Sequence, residues 1–123
     1  MEIDLSVLAC RYVAIWNETD ADYRQREIES LFSPDIVHFT QSLEARGHTE
    51  MERRIISSHE RWVRDGGYRF ELLGAADGHH DVVRLHWQMI QAADSPAVSV
   101  GSDVLILAPD GRIKFDYQFI DRS

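Results

Sequence analysis

The sequence predicts an α+β fold in which helices come first and most of the strands come last. Apolar residues recur at helical spacing up to about residue 65, and beyond it they alternate with a period of two, as in β-strands. A block of helices followed by a block of strands is typical of the α+β class. The 123 residues fit one domain, which we assign to residues 1–123.

The first helix is predicted near the N-terminus, where Asp4 or Ser6 is suited to cap it. Its apolar stripe consists of Leu5, Leu8, Ala9, Tyr12 and Trp16. Tyr12 and Trp16 have two open interpretations, as core packing or as the wall of a pocket. A buried tyrosine hydroxyl requires a hydrogen-bond partner in either case.

A second helix is predicted to begin near Thr19 or Asp20 and to end at Pro34. Its predicted buried face consists of Ile28, Leu31 and Phe32. The stretch DIVHFT, residues 35–40, predicts a strand with His38 and Thr40 on one face. We interpret the SLEARG stretch that follows as a loop.

A third helix is predicted to open at TEME, residues 49–52, which matches a capping box. Its apolar side carries Met51, Ile55, His59 and Trp62, and Gly66 and Gly67 are suited to stop it.

Four long strands are predicted after the third helix, in YRFELLGA, DVVRLHWQMIQA, AVSVGSDVLILA and RIKFDYQFID. The turn signals DGHHD, DSP and PDG separate them. DVLILA is apolar on both faces, whereas a sheet covered by helices on one side is usually polar on its back. We therefore predict a homodimer that forms through the outer face of the sheet.

The composition argues against several classes of partner. The formal net charge is −8, and no basic stripe offsets it, so nucleic acids and anionic membranes are not expected as partners. The single cysteine, Cys10, allows no internal disulfide and is predicted to be buried. The acidic start MEIDLS lacks the basic residues of a signal peptide, and no apolar stretch approaches a membrane span, so we expect a cytoplasmic protein.

The order of these elements, together with RYVAIWNETD, LFSPDIVHF and GSDVLILAPDGRI, resembles the nuclear transport factor 2-like superfamily. These pieces look like its SnoaL-like members, which include polyketide cyclases, and like ketosteroid isomerases. The resemblance implies a cone-shaped, curved antiparallel or mixed sheet wrapped around three helices, the cystatin-like, SnoaL-like α+β barrel. It leaves the function open, because this fold carries enzymes, binding modules and assembly domains.

The resemblance to the isomerase can be followed residue by residue. Tyr12 falls on the tyrosine that donates a hydrogen bond to the substrate oxyanion. Asp103 falls on the protonated aspartate that is the second donor. In the isomerase an apolar site keeps that carboxylic acid neutral. The place of the general base holds Thr40, which cannot accept a proton near neutral pH. His38 shares its strand face and is the candidate replacement, although a histidine satisfied in the core is more common.

The resemblance to the polyketide cyclases is also partial. Asp103 again lies where their acid/base aspartate lies, but QAADSPAVS stands in place of their glycine- and histidine-containing segment. Asp103 interrupts an apolar strand, where a buried charge costs several kcal/mol unless it is paired or protonated. The structural alternative is a salt bridge to Arg84 or Arg112.

The apolar stripes and the resemblance together predict a mostly apolar pocket for a small hydrophobic or aromatic molecule with a carbonyl. The predicted catalytic residues are Tyr12, Asp103 and His38. The predicted ligand-contacting residues are Trp16, Phe32, Thr40, Ile55, His59, Trp62, Leu85, Trp87, Met89 and Gln118.

We predict cofactor-independent acid/base chemistry of the isomerase or cyclase type, with neither metal nor organic cofactor. His79 and His80 stand near two aspartates, but their spacing does not match a designed metal site. The alternative prediction, favoured by the missing base, is a non-catalytic ligand-binding or dimeric assembly domain.

Overall fold

The computed structural model describes residues 4–92 and 94–122 and contains three helices packed against a mixed sheet of seven strands that does not close. The sheet order is β2-β1-β7-β6-β5-β3, and β4 also pairs with β5. The helices are α1 (Leu5–Ile15), α2 (Ala21–Leu31) and α3 (Gly47–Ser58), and α3 continues as a π-helical segment (His59–Arg64). The strands are β1 (Phe32–Phe39), β2 (Glu44–Arg46), β3 (Arg69–Leu72), β4 (Asp77–His79), β5 (Val82–Ile90), β6 (Ser99–Leu107) and β7 (Ile113–Arg122).

The architecture confirms the predicted α+β fold class. Two aspartates cap the first two helices, and each carboxylate accepts two of the backbone N–H groups that a helix start leaves unpaired. Asp4 accepts from the amides of Ser6 and Val7 at 3.0 and 3.2 Å, and Asp20 caps α2 in the same way. Asp4, rather than Ser6, is therefore the cap of α1.

The predicted capping box at residues 49–52 is wrong. Helix α3 begins two residues earlier, at Gly47, and the residue before it, Arg46, makes no side-chain cap. The side chain of Glu50 instead reaches back and accepts from the Arg46 amide at 2.8 Å. The backbone of Gly47 has φ +78°, a left-handed conformation that glycine adopts without strain.

The predicted end of α2 at Pro34 is also wrong. The helix ends at Leu31, and Phe32 already has an extended backbone. Pro34 lies within β1, where the pairing with β7 is irregular between Phe32 and Val37. A proline is tolerated there because it interrupts no regular ladder of hydrogen bonds. Phe32 is fully buried, but as a strand residue rather than on a helix face.

Two short strands lie where the sequence predicts only a loop and a turn, and they bring the number of strands to seven. Glu44–Arg46 pairs antiparallel with β1, and Asp77–His79 pairs antiparallel with the first half of β5. Each has three residues, which is too short to display an alternating pattern. His80 has a positive φ of 56° in the turn that joins β4 to β5.

Four neighbouring strands bring the polar residues of the interior together. His38 on β1 pairs with Asp116 on the parallel strand β7, and Leu85 on β5 pairs with Asp103 on β6. Strands β6 and β7 are antiparallel, and Asp103 lies opposite Gln118. Asp103, Asp116 and His38 are therefore on adjacent strands, and all three are fully buried.

The core lies between the helices and the sheet. Its largest fully buried side chains include Tyr12, Phe32, Ile28, Leu31, Ile36, Met51, Ile55, Leu85, Leu105 and Ile113. Cys10 is exposed on α1, so its predicted burial is wrong. In the described part of the chain, no helix has the length and apolar character needed to cross a membrane. Part of the acidic stretch MEIDLS, residues 1–3, lies outside the described residues.

Candidate functional site

A cavity of about 400 Å³ opens between α1, α3 and the inner face of the sheet. Its wall is mostly apolar and rich in aromatic rings. The described residues that line it are Tyr12, Val13, Trp16, Arg54, Ser58, Trp62, Tyr68, Phe70, Trp87, Met89, Val98, Ser99, Gln118 and Ile120. A cavity of this size, with few polar groups, is in the range that small-molecule sites occupy.

A buried polar cluster extends from one lining residue, Tyr12, into the sheet. The Tyr12 hydroxyl lies 2.7 Å from Oδ2 of Asp103 and 2.6 Å from Oδ2 of Asp116. Nδ1 of His38 lies 2.8 Å from the same Asp116 oxygen. Trp87 donates from Nε1 to Oδ1 of Asp103 at 2.9 Å. We call Tyr12, His38, Asp103 and Asp116 the buried acid cluster.

The hydrogen bonds fix how protons are shared in the buried acid cluster. The Tyr12 hydroxyl has one proton and contacts two carboxyl oxygens, so one of the two carboxyls must donate to Tyr12. Asp116 accepts the Nδ1–H of His38 at Oδ2, the same oxygen that contacts Tyr12. Asp103 accepts the Nε1–H of Trp87 at Oδ1, the oxygen that does not contact Tyr12. The consistent arrangement is a protonated Asp103 that donates to Tyr12, while Tyr12 donates to an ionised Asp116.

Burial disfavours the charged form of each of these groups, and so it raises the pKa of the acids and lowers that of the imidazole. Removal from water raises the pKa of Asp103 well above its usual range, and the nearby Asp116 carboxylate raises it further. Burial also raises the pKa of Asp116, but hydrogen bonds from Asp103 and Tyr12 and the charge of Arg54 oppose the rise. Burial lowers the pKa of His38 to about 4, so its imidazole is neutral near pH 7. The phenol of Tyr12 also stays protonated, because burial and the neighbouring Asp103 and Asp116 raise its pKa.

Gly101 makes room for the indole that contacts Asp103. Trp87 pairs with Gly101 across β5 and β6. A Cβ atom at Gly101 would lie 2.2 Å from Cζ2 of Trp87 and 2.6 Å from the backbone oxygen of Phe119. Any other residue at position 101 would therefore displace the indole that donates to Asp103.

Arg54 connects the buried acid cluster to the cavity. Its Nε donates to Nε2 of His38 at 3.4 Å, and one terminal nitrogen donates to Oε1 of Gln118 at 3.0 Å. A donor at Nε2 requires a lone pair there, so the His38 proton is on Nδ1, where it faces Asp116. The guanidinium also lies over the Trp16 ring, 5.1 Å from its centroid.

The structure separates the predicted site residues into two groups. Those on the cavity wall are Tyr12, Trp16, Trp62, Trp87, Met89 and Gln118. Those away from it are Phe32, Thr40, Ile55, His59 and Leu85, together with His38 and Asp103, which lie behind the wall. Phe32, Ile55 and Leu85 are fully buried in the core.

Two predicted ligand contacts have local structural roles. The Thr40 hydroxyl accepts from the amides of Ser42 and Leu43 and so shapes the turn after β1. His59 is buried at the start of the π-helical segment. Burial lowers the pKa of His59, and the positive charge of Arg24 adds to the effect. Neither residue lines the cavity.

The predicted alternative for Asp103, a salt bridge to Arg84 or Arg112, is wrong. Arg84 pairs with Asp77 at 2.8 Å, and Arg112 pairs with Asp110 at 2.9 Å. Both pairs are on the surface, and Asp103 is in the interior.

Sequence reasoning missed Asp116, Arg54 and Gly101. Arg54 is three residues after Met51 and one before Ile55, so helical spacing could have placed it beside the buried stripe. A glycine inside the apolar run VSVGSDV is a signal of close approach within a sheet. Asp116 gave no comparable signal, because its aromatic neighbours make the opposite face of β7 look like the interior.

His38, Asp103 and Asp116 are also the one group of potential metal ligands found among the described residues, with ligand atoms within 4.8 Å of one another. However, the Tyr12 hydroxyl already bridges the two carboxyl groups, 2.7 Å from Asp103 and 2.6 Å from Asp116. The guanidinium of Arg54 beside His38 is a further positive charge that disfavours a bound cation. Shared protons therefore fit this donor set better than a metal ion does.

Comparison with known proteins identifies the fold family. No family model matches the chain, and no curated protein matches it in sequence. Among solved structures, a SnoaL-like family protein from Agrobacterium tumefaciens, provisionally assigned as an isomerase, superposes with a TM-score of 0.84 at 29% identity. The match covers 94% of this chain and 95% of that one.

The chain therefore has the nuclear transport factor 2-like fold of its SnoaL-like structural neighbours.

Two more distant structures share this fold. A Sinorhizobium meliloti protein, provisionally assigned as a polyketide cyclase, has a TM-score of 0.71 at 18% identity and covers 94% of this chain and 96% of its own. A SnoaL-like protein of unknown function from Burkholderia thailandensis has a TM-score of 0.66 at 15% identity, over 97% and 98% of the two chains. The fold expected from the sequence is thus confirmed.

Proposed function

We propose that this protein binds a small, mostly apolar carbonyl compound in the cavity and polarises its carbonyl oxygen with the Tyr12 hydroxyl. The observation that carries the proposal is that Tyr12 lies on the wall and is hydrogen-bonded to two buried carboxyl groups. A donor fixed in an apolar site stabilises a developing oxyanion far better than water does. Support for isomerase- or cyclase-type chemistry comes from the provisional assignments of two structural relatives.

The proposed step exchanges one hydrogen bond for another. A ligand oxygen beside Tyr12 competes with Asp116 for the phenolic proton. Asp116 keeps the hydrogen bond from His38, so the exchange does not leave its carboxylate unpartnered. Asp103 continues to donate to the phenolic oxygen and thereby strengthens Tyr12 as a donor. In this proposal Tyr12 is the catalytic residue, and Asp103, Asp116 and His38 are positioning residues.

A role for His38 as general base is less well supported by its position. Arg54 contacts Nε2 of His38, and Asp116 occupies Nδ1, so neither ring nitrogen faces the cavity. Among the described residues that line the cavity, none has a carboxylate or an imidazole. This observation favours the second candidate function, a ligand-binding domain without catalysis.

We also propose that the protein is a homodimer through the outer face of the sheet. Phe39, Phe115, Tyr117 and Phe119 form an outer aromatic band on β1 and β7. The rings of Phe39 and Tyr117 stack with their centroids 4.8 Å apart, and Phe119 is 52% exposed. An exposed band of aromatic rings on a sheet is typical of a protein interface.

The proposed function can be tested with 2-acetylnaphthalene, a neutral ketone with exchangeable methyl protons. Calorimetry measures its binding, and proton NMR in D₂O measures deuterium uptake at the methyl group. We expect wild type to bind the ketone and to accelerate exchange, and Tyr12→Phe to lower that rate by about 100-fold, as loss of an oxyanion donor does. Tyr68→Phe removes another hydroxyl from the wall and is the matched control.

Three outcomes separate the candidate functions. Binding with accelerated exchange supports polarisation by Tyr12 if the Tyr12→Phe variant loses the acceleration. Binding without acceleration in wild type supports the ligand-binding domain instead. Absence of binding to wild type contradicts both.

A further inference from the structure

The described residues of the cavity wall carry one charge, and it is positive. Arg54 is the only side chain ionised at neutral pH among the described lining residues, although the formal net charge of the chain is −8. The other hydroxyl and amide groups on the wall belong to Tyr12, Ser58, Tyr68, Ser99 and Gln118. A cation in an otherwise apolar wall favours a ligand that brings the opposite charge.

Neutral groups hold Arg54 in place. The acceptors of its hydrogen bonds are the imidazole of His38 and the amide oxygen of Gln118. In the described part of the chain, no carboxylate lies within 4.0 Å of its guanidinium nitrogens. Burial lowers the pKa of Arg54 from its ordinary value, and Tyr12, Asp103 and Asp116 of the buried acid cluster offset this only in part. An anion in the cavity would compensate the buried charge directly.

The unused donors of Arg54 match a carboxylate. A guanidinium has five N–H donors in a planar fork, and the bonds to His38 and Gln118 use two of them. Two parallel N–H donors bind the two oxygens of a carboxylate together, a geometry that a lysine cannot reproduce.

The remainder of the wall accommodates an apolar body. Five aromatic rings besides Tyr12 line the cavity: Trp16, Trp62, Tyr68, Phe70 and Trp87. We propose that the ligand is an aromatic or hydrophobic carboxylic acid, with its carboxylate on Arg54 and its apolar body against these rings. This inference rests on the proposed function, because it names the chemical class of the ligand in the same cavity.

The test compares two probes of nearly equal shape, 2-naphthoate and its neutral analogue 2-naphthamide, by isothermal titration calorimetry at pH 7.5. We expect wild type to bind naphthoate at least about 10-fold more tightly than naphthamide, as a charge-assisted bidentate contact provides. Arg54→Gln should abolish this preference without weakening naphthamide binding by a similar factor. Arg54→Lys should keep part of the preference, because it keeps the charge but not the fork.

The matched control is Arg53→Gln, which removes the same charge from the exposed neighbouring position on α3. It should leave the preference for naphthoate unchanged. Circular dichroism establishes that each variant is folded. If Arg54→Gln does not fold, the wild-type ratio of the two affinities and the Arg54→Lys variant decide the question.

The possible failures are distinguishable. If naphthamide binds as tightly as naphthoate to wild type, the inferred acid is wrong and the proposed cavity function stands. If the preference persists in Arg54→Gln, the anion is bound elsewhere and the assignment to Arg54 is wrong. If neither probe binds to wild type, the proposed function and the inference fail together.

Discussion

The two faces of strands β6 and β7 reverse the usual distribution of polar and apolar residues. The inner face carries Asp103 and Asp116, both with no exposed surface, beside the core. The outer face carries Tyr117 and Phe119, which are 37% and 52% exposed. Globular domains normally bury the aromatic residues and expose the carboxylates.

Each reversal costs stability unless other contacts compensate it, and this compensation differs between the two faces. On the inner face, hydrogen bonds from Tyr12, His38 and Trp87 compensate the buried carboxyl groups. On the outer face, the described residues provide stacking between neighbouring rings but no cover. The inner face is therefore compensated within one chain except at Oδ1 of Asp116, which has no hydrogen-bond partner. The outer face is expected to be covered by a second copy.

The largest expected effect separates the two carboxyls of the inner face. Asp116→Asn removes the charge that accepts from Tyr12 and His38 and should lower the free energy of unfolding by about 3 kcal/mol. Asp103→Asn replaces a neutral acid by a neutral amide that can make the same contacts, so its loss should be below about 1 kcal/mol. Urea unfolding at pH 7 measures both. An equal loss in the two variants would contradict the assignment of the charge to Asp116.

The inner face should also make stability depend on pH through His38. Its folded pKa of about 4 is below the ordinary ~6.5. Between these values the unfolded chain binds more protons, so stability falls as pH falls through this window. Wild type should lose on the order of 3 kcal/mol more than His38→Asn between pH 7 and pH 4.

Asp103 contributes to the pH dependence with the opposite sign. Because its folded pKa is raised, the folded chain retains a proton that the unfolded chain has lost. Stability therefore falls as pH rises from the ordinary pKa of an aspartate, ~4, towards the raised pKa of Asp103 in the folded chain. Urea unfolding of wild type, His38→Asn and Asp103→Asn across pH 4 to 8 separates the two contributions. If His38→Asn and wild type share one pH trend, His38 is not buried as a neutral group.

A third expected effect follows from the close packing of Gly101 against Trp87 on the inner face. Gly101→Ala places a Cβ against the Trp87 indole and should destabilise the protein by about 1–3 kcal/mol, as overpacking does. It should also shift the tryptophan fluorescence, since the indole loses its place beside Asp103. Gly74→Ala is the control, because nothing lies within 4 Å of the added atom, although its φ of +71° adds backbone strain. Gly101→Ala with an unchanged emission spectrum would contradict the described packing.

The smallest expected effect on stability is on the outer face. Phe119→Asp should halve the mass measured by light scattering at micromolar concentration, because the charge disrupts the proposed interface. The unfolding free energy of the monomer should change by less than about 0.5 kcal/mol, as is usual at exposed sites. Tyr23→Asp changes an exposed ring on α2 and should leave the mass unchanged. A monomeric wild type would contradict the proposed dimer.

Alternation grouped Leu85 with one face of β5, but the inward position of Asp103 on β6 was indicated by the resemblance to the isomerase. The face of β7 could not be predicted, since its outward aromatic residues Phe115, Tyr117 and Phe119 imitate a core pattern. Asp116 was missed for this reason. Periodicity reports burial against any apolar surface and does not distinguish the core from an interface.

The short strands were not predicted for a different reason. The short strands β2 and β4 form through pairing with longer strands, and a three-residue segment carries no period of its own. Likewise, no pattern along the chain reveals that Arg54 contacts His38, because the two are brought together only when α3 packs on β1. Contacts that depend on tertiary structure are the part of the site that sequence reasoning did not recover.

The most direct test of the buried acid cluster is the protonation state of Asp103, measured by a carboxyl-carbon NMR titration from pH 3 to pH 8. With Asp103 donating to Tyr12 and Trp87 donating to Asp103, we expect its carboxyl to stay protonated well above the ordinary ~4. The Asp103→Asn spectrum assigns the resonance. A carboxyl at position 103 that ionises near ~4 would contradict the neutral acid on which the proposed polarisation by Tyr12 depends.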